Sequence, residues 1–131
     1  MRYTGGFPGD FWRSEAIVLP MEITLSMVEE IPVMSLSGRL DVTTSPILEE
    51  RLLPVIEGAG SKIILDCSEL TYVSSAGLRV FITSQRRLAE HGGGLAFSAL
   101  SKPVLDLFRL AGLEPLFVIA ATPAEAAALL R

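Results

Sequence analysis

The chain has 131 residues, with 11 Lys plus Arg against 15 Asp plus Glu and a formal net charge of -4. At roughly 100–200 residues per domain, this length excludes two full-sized domains and argues for one core with a short extension. A content of 50% hydrophobic and 20% charged residues excludes a disordered polymer, and the acidic balance is opposite in sign to the basic footprint of phosphate-backbone binding, so direct nucleic-acid binding is not expected.

One cysteine, Cys67, forms no internal disulfide, and with one histidine, His91, it leaves too few soft ligands for a closed zinc site. No metal or cofactor is expected, and the usage fits a reducing cytoplasm. No run of about 18 apolar residues is present to span a bilayer. Asp10, Arg13 and Glu15 interrupt the apolar residues near the N-terminus, so neither export nor membrane insertion is expected.

Residues 1–20 hold three of the 11 glycines, two of the eight prolines and the only Trp, without a sustained period of 2 or 3.6. They read as a flexible N-terminal extension to a domain over 21–131, and Met21 is a candidate physiological start. From Met21 onward, polar and apolar residues alternate to Val28, as in a half-buried strand. Glu29-Glu30 and Pro32 predict a turn, and Val33 to Ser37 alternates again, so the two segments form a hairpin that Gly38 ends. Ser45-Pro46 places a capping side chain before a proline at the first helical position, and Ile47, Leu48, Leu52, Val55 and Ile56 recur at helical spacing. Pro54 predicts a kink or an early stop in that helix.

Lys62 to Asp66 reads as a short buried strand of the parallel type, followed by a loop over Cys67 to Ser74. Leu78, Phe81, Ile82, Leu88 and Ala89 then share one face of a helix from about Ser75 to His91, which Gly92-Gly93-Gly94 stops. Leu95 to Leu100 is a strand, Pro103 to Leu110 a short helix and Leu116 to Ile119 a last strand. Thr122-Pro123-Ala124-Glu125 starts a final helix with a capping box and proline at its first position. The order ββαβαβαβα with right-handed crossovers predicts an α/β domain: a mixed sheet of about five strands with about four helices mainly on one face.

The sequence contains no G-x-S-x-G, no G-x-x-x-x-G-K-[ST], no G-x-G-x-x-G and no metal-binding histidine pair. His91 falls at a helix end, where a histidine is favourable to the dipole. The informative segment is Thr71 to Val80, in which Ser74 and Ser75 stand where a helix leaves amide groups unpaired. One of the two as a helix cap is the bland reading; a modifiable hydroxyl is the sharp one.

Leu36-Ser37-Gly38-Arg39-Leu40-Asp41, Ile64-Leu65-Asp66, Ser74-Ser75-Ala76-Gly77-Leu78, Gly93-Gly94 and Leu110-Ala111-Gly112-Leu113, in this order and spacing, resemble the STAS family, in particular the stand-alone bacterial anti-sigma factor antagonists. The resemblance covers most of residues 21–131. It implies the STAS fold and a non-enzymatic protein that binds an anti-sigma factor, itself a serine kinase, and thereby frees a sigma factor. It also implies a phosphoacceptor shortly before the Gly-Leu pair: Ser75, with Ser74 as runner-up. Many members carry aspartate at the position of Ser74 and Ser or Thr at that of Ala76. The aspartate of the family's binding face matches Asp41, which physics alone reads as a turn or cap residue. Partner contacts are therefore expected from Asp41, Ser74, Ser75, Ala76, Gly77 and Arg79, and a serine phosphatase is the expected partner of the phosphorylated form.

A phosphate adds about -1.5 to -2 charges and three strong acceptors, which a helix N-terminus tolerates. Arg79 follows Ser75 by four residues, on the same side of the helix. Arg79, Arg86 and Arg87 make a basic stripe that reads as a solvated face, while Cys67 reads as a small packed residue. Two alternatives stand beside the antagonist: an accessory subunit of a lipid or solute transporter, or a partner-switching scaffold with a non-sigma output. A hydrolase using Ser75 fits poorly, because no base stands near it in the motif.

Overall fold

The computed structural model describes residues 21–58 and 61–131; the extension over 1–20 lies outside the described residues. Strands β1 (Met21–Val28) and β2 (Ile31–Leu40) pair antiparallel, with Val28 opposite Ile31. The two residues between them, Glu29 and Glu30, have φ of 50° and 69°, the left-handed pair whose twist matches the flanking strands. The chain continues as α1 (Ser45–Ile56), β3 (Lys62–Val73), α2 (Ser75–Glu90), β4 (Gly94–Ser98), α3 (Lys102–Leu110), a 3-10 turn (Glu114–Leu116), β5 (Val118–Ala120) and α4 (Pro123–Leu130). The strands lie in the order β1-β2-β3-β4-β5. From β2 onward the neighbours are parallel, and such pairs need crossovers, which the helices supply.

Three helices cover one face. Leu48 and Leu52 of α1, Phe81 and Leu88 of α2 and Phe108 of α3 are buried against Ile63, Leu65, Leu95 and Phe97 of the sheet. Phe97 meets Phe81, Phe108 and Phe117 edge to face, with centroids 4.8, 5.2 and 5.0 Å away, a favoured geometry for aromatic pairs. The other face carries α4, whose Ala126 and Ala127 lie over Ile64, Ala96 and Ala120. The mixed five-stranded sheet with helices mainly on one face is thus as expected.

Four local expectations change. The segment from Cys67 onward is not a loop: β3 runs to Val73, with Cys67, Leu70 and Val73 buried. Its register against β2 slips between Ser35 and Ser37 and again between Gly38 and Arg39, and these bulges break the period-2 pattern on which a strand assignment relies. Ser45 is the first residue of α1 rather than its cap; the cap position is Thr44. Strand β4 ends at Ser98 rather than Leu100, with Ala99 at a φ of 57°, while α1 stops at Ile56, two residues past Pro54. Finally, Leu116 belongs to the 3-10 turn and the last strand is Val118–Ala120. Cys67 is fully packed, and burial, with the charge of Asp66 a lesser cause, pushes its thiol far up, so no thiolate is available there.

Candidate functional site

Strand β3 hands over to α2 through a single residue, Ser74. Its backbone is extended (φ -89°, ψ 173°) and its Oγ accepts a hydrogen bond from the Gly77 amide at 3.3 Å. Its own N–H donates to the Leu40 carbonyl at 2.8 Å, and its carbonyl accepts from Leu78 N at 3.0 Å. Ser74 is therefore the cap. Ser75, the first residue of α2, is exposed, and its hydroxyl has no hydrogen-bond partner among the described residues. Of the two readings that sequence left open for this pair, the cap falls on Ser74.

Gly77 holds the helix start against β2. A Cβ at this position would lie 2.7 Å from Leu40 Cδ2 and 3.0 Å from Val73 Cγ1, closer than packed carbons tolerate, so glycine permits the approach. Leu40 pairs with Val73 in the last register position of β2 and β3, so the residues that follow them, Asp41 and Ser74, both leave the same end of the sheet. Ala76 is half-buried between Ser75 and Gly77.

Asp41 organises the turn into α1. Its Oδ1 accepts from Thr43 N at 3.0 Å, Thr43 Oγ1 at 2.8 Å and Thr44 N at 3.2 Å. Thr44 Oγ1 in turn accepts from Asp41 N and donates to the Arg39 carbonyl, each at 2.8 Å. The Thr43 hydroxyl is the chief cause that holds the Asp41 carboxyl below the usual carboxylate range; partial burial opposes it, and the two backbone N–H bonds reinforce it. Asp41 is thus a fixed anion, with the turn role that its position suggested. Its Oδ2 has no partner among the described residues.

Arg79 lies one turn beyond Ser75, exposed, and has no acidic partner among the described residues. His91 caps the far end of α2, about 24 Å from Ser75 at 1.5 Å per residue. Sequence reasoning missed two parts of this face. Arg39 stacks on Tyr72, 4.1 Å from its centroid. A groove of about 410 Å³ also runs between α2 and α3, from Tyr72, Ser74 and Ser75 past Leu78 to Val104 and Leu107. Sequence singled out neither Val104 nor Leu107, because nothing in the spacing of a short helix reports which side meets the sheet.

The family described as "Mlab, STAS domain" matches residues 23–119. The anti-sigma-B factor antagonist of Bacillus subtilis (strain 168) is 34% identical over 89 residues, covering 67% of this chain and 80% of that protein. An anti-sigma factor antagonist from Mycobacterium paratuberculosis has a similar fold, with a TM-score of 0.76 at 22% identity over 85% of this chain and 94% of its own. SpoIIAA, a cell fate determinant and anti-sigma factor antagonist from Bacillus, is 26% identical over 84% of this chain. Its unphosphorylated form matches with a TM-score of 0.71 over 96% of that chain, and its phosphorylated form with 0.65 over 100%.

Proposed function

The chain belongs to the STAS domain family, and on that premise we propose that it is an anti-sigma factor antagonist switched by phosphate on Ser75. Unphosphorylated, it binds an anti-sigma factor that is a serine kinase and so frees a sigma factor; phosphoryl transfer to Ser75 ends the binding, and a serine phosphatase restores it. The protein acts by binding and is the substrate, not the catalyst, of the transfer. The observation that carries this reading is the division of labour at the head of α2: Ser74 caps the helix, and the Ser75 hydroxyl is exposed and unengaged among the described residues. The relative solved in both phosphorylated and unphosphorylated forms supports it.

In this mechanism a kinase reaches Ser75 without opening the fold. The product dianion of about -1.5 to -2 charges sits at the positive end of the α2 dipole, with Arg79 one turn away, a favourable place for an anion. The destabilisation falls on the partner. A dianion on Ser75, added to the fixed anion of Asp41, is either desolvated in the interface or set against the partner's own charges, and such a contact costs several kcal/mol. A penalty of about 4 kcal/mol lowers affinity roughly a thousandfold.

The test is the intact mass of the protein from its native cells, lysed with phosphatase inhibitors, beside a Ser75→Ala version, followed by affinity capture on wild type and Ser75→Asp. One phosphoryl group on wild type and none on Ser75→Ala, with a kinase retained by wild type and released by Ser75→Asp, is the expected result. No modification under any growth condition, or equal capture by both forms, overturns the switch and favours constitutive docking on a transporter ATPase.

A further inference from the structure

The basic stripe foreseen in the sequence has a geometry that solvation alone does not explain. Ser75, Arg79, Ile82 and Arg86 recur at i, i+4, i+7 and i+11, which sets them in one line along α2, opposite the buried Phe81, Ser84 and Leu88. The line forms one wall of a groove of about 450 Å³, with Leu113 opposite, and the groove continues past Ile82 and Arg86 to Leu116, which is 51% exposed. Neighbouring acids are already engaged: Asp106 by Lys102 and Arg109, and Glu114 by Arg109. Arg79 and Arg86 have no acidic partner among the described residues, in a chain whose net charge is -4.

We propose that this groove is a docking site for an acidic, amphipathic segment of a protein partner, which sets an apolar side chain against Ile82 and Leu113 and carboxylates on Arg79 and Arg86. The two arginines lie seven residues apart, about 10 Å along the helix, so the matching carboxylates are spaced by two turns of a helix or by three residues of an extended strand. The apolar floor disfavours nucleic acid, and the concavity disfavours a flat bilayer. Ser75 lines the same groove. A phosphate there would compete with the incoming carboxylate for Arg79, so the groove names the partner chemistry that the proposed switch acts on and rests on that reading for its regulation.

The experiment places a photo-cross-linking residue at Thr83, which also lines the groove, and separately at Thr43, beside Asp41, in the full chain expressed in its native cells. The expected result is a Thr83 adduct that maps to one peptide with an apolar residue between two acidic ones. Its yield falls at least tenfold in Arg86→Glu and holds in Arg87→Glu, which lies off the line. No adduct, an adduct to lipid, RNA or a second copy of the chain, or a yield indifferent to Arg86→Glu overturns the proposal. A kinase cross-linked from Thr43 but not from Thr83 sinks the groove and leaves the switch standing. An acidic peptide cross-linked from Thr83 that belongs to no kinase supports the groove and sinks the switch.

Discussion

The assignment of cap and acceptor to adjacent serines predicts opposite thermodynamic and chemical phenotypes. Removing the Ser74 hydroxyl orphans the Gly77 amide. Cap deletions cost about 0.5–2 kcal/mol, and the 3.3 Å bond is longer than the usual 2.9–3.0 Å, which places Ser74→Ala in the lower half, about 0.8 kcal/mol. Ser75 is exposed and its hydroxyl holds nothing among the described residues. Ser75→Ala therefore ranges from neutral to about 0.5 kcal/mol stabilising, through the better helix propensity of alanine. Urea melts separate the two: with m of about 1–3 kcal/mol/M, Ser74→Ala lowers the midpoint by about 0.3–0.8 M at constant m, and Ser75→Ala leaves or raises it. Under the kinase, Ser74→Ala still accepts phosphate and Ser75→Ala does not. A costly Ser75→Ala beside a harmless Ser74→Ala would refute the reasoning, since the cap and the acceptor would then be exchanged.

Gly77→Ala brings a methyl within 2.7–2.8 Å of the fully buried Leu40; overpacking of about 1–3 kcal/mol outweighs the roughly 1 kcal/mol that alanine gains in a helix. The net loss of about 1 kcal/mol disappears in a Leu40→Ala background, and a double-mutant cycle with no coupling contradicts the contact. Glu30, at φ 69°, bears the left-handed penalty of about 1–2 kcal/mol, so Glu30→Gly gains about 0.5–1 kcal/mol after the backbone entropy of glycine, read by the same melts. The lowered Asp41 carboxyl contributes stability that is present above its unfolded value of about 3.8 and is lost as pH falls through the folded value. Wild type therefore loses stability on acidification below about pH 5 more steeply than Asp41→Asn; parallel profiles would show that the Thr43 and Thr44 bonds hold the neutral form equally well.

The element order and the final capping box were legible because local signals agree with the tertiary outcome: Thr122 does cap α4 by accepting from Glu125 N at 3.1 Å. The tail of β3 was not, since Cys67 and Ser68 occupy a register slip that only pairing with β2 reveals. The cap of α1 was misplaced by one residue for a related reason. Ser45 Oγ donates to the Asp41 carbonyl at 2.6 Å while the Asp41 carboxylate receives the Thr43 and Thr44 amides. The turn is thus closed by an aspartate four residues upstream, out of range of a cap-then-proline rule. At the candidate site, Ser75, Asp41, Gly77 and Arg79 were named from sequence. The α3 wall and the Arg39–Tyr72 stack were not, because each joins residues whose proximity depends on the folded sheet.

A phosphorylation switch works best when its free energy acts on the interface and not on the fold. Here the hydroxyl that phosphate would modify supports nothing among the described residues, the cap beside it is independent, and Arg79, one turn along the helix, is worth only about 0.2–0.5 kcal/mol to an exposed anion. Phosphate on Ser75 would thus leave the domain nearly isoenergetic with the unmodified one in folding, while in the proposed switch an interface closing over Asp41 and Ser75 would meet about 1.5 to 2 added charges. Had the acceptor been the cap itself, phosphate would have traded helix stability against binding, and signal and folding would have been coupled. Two serines in place of one remove that coupling, which gives a physical reason for both hydroxyls at the single joint between β3 and α2.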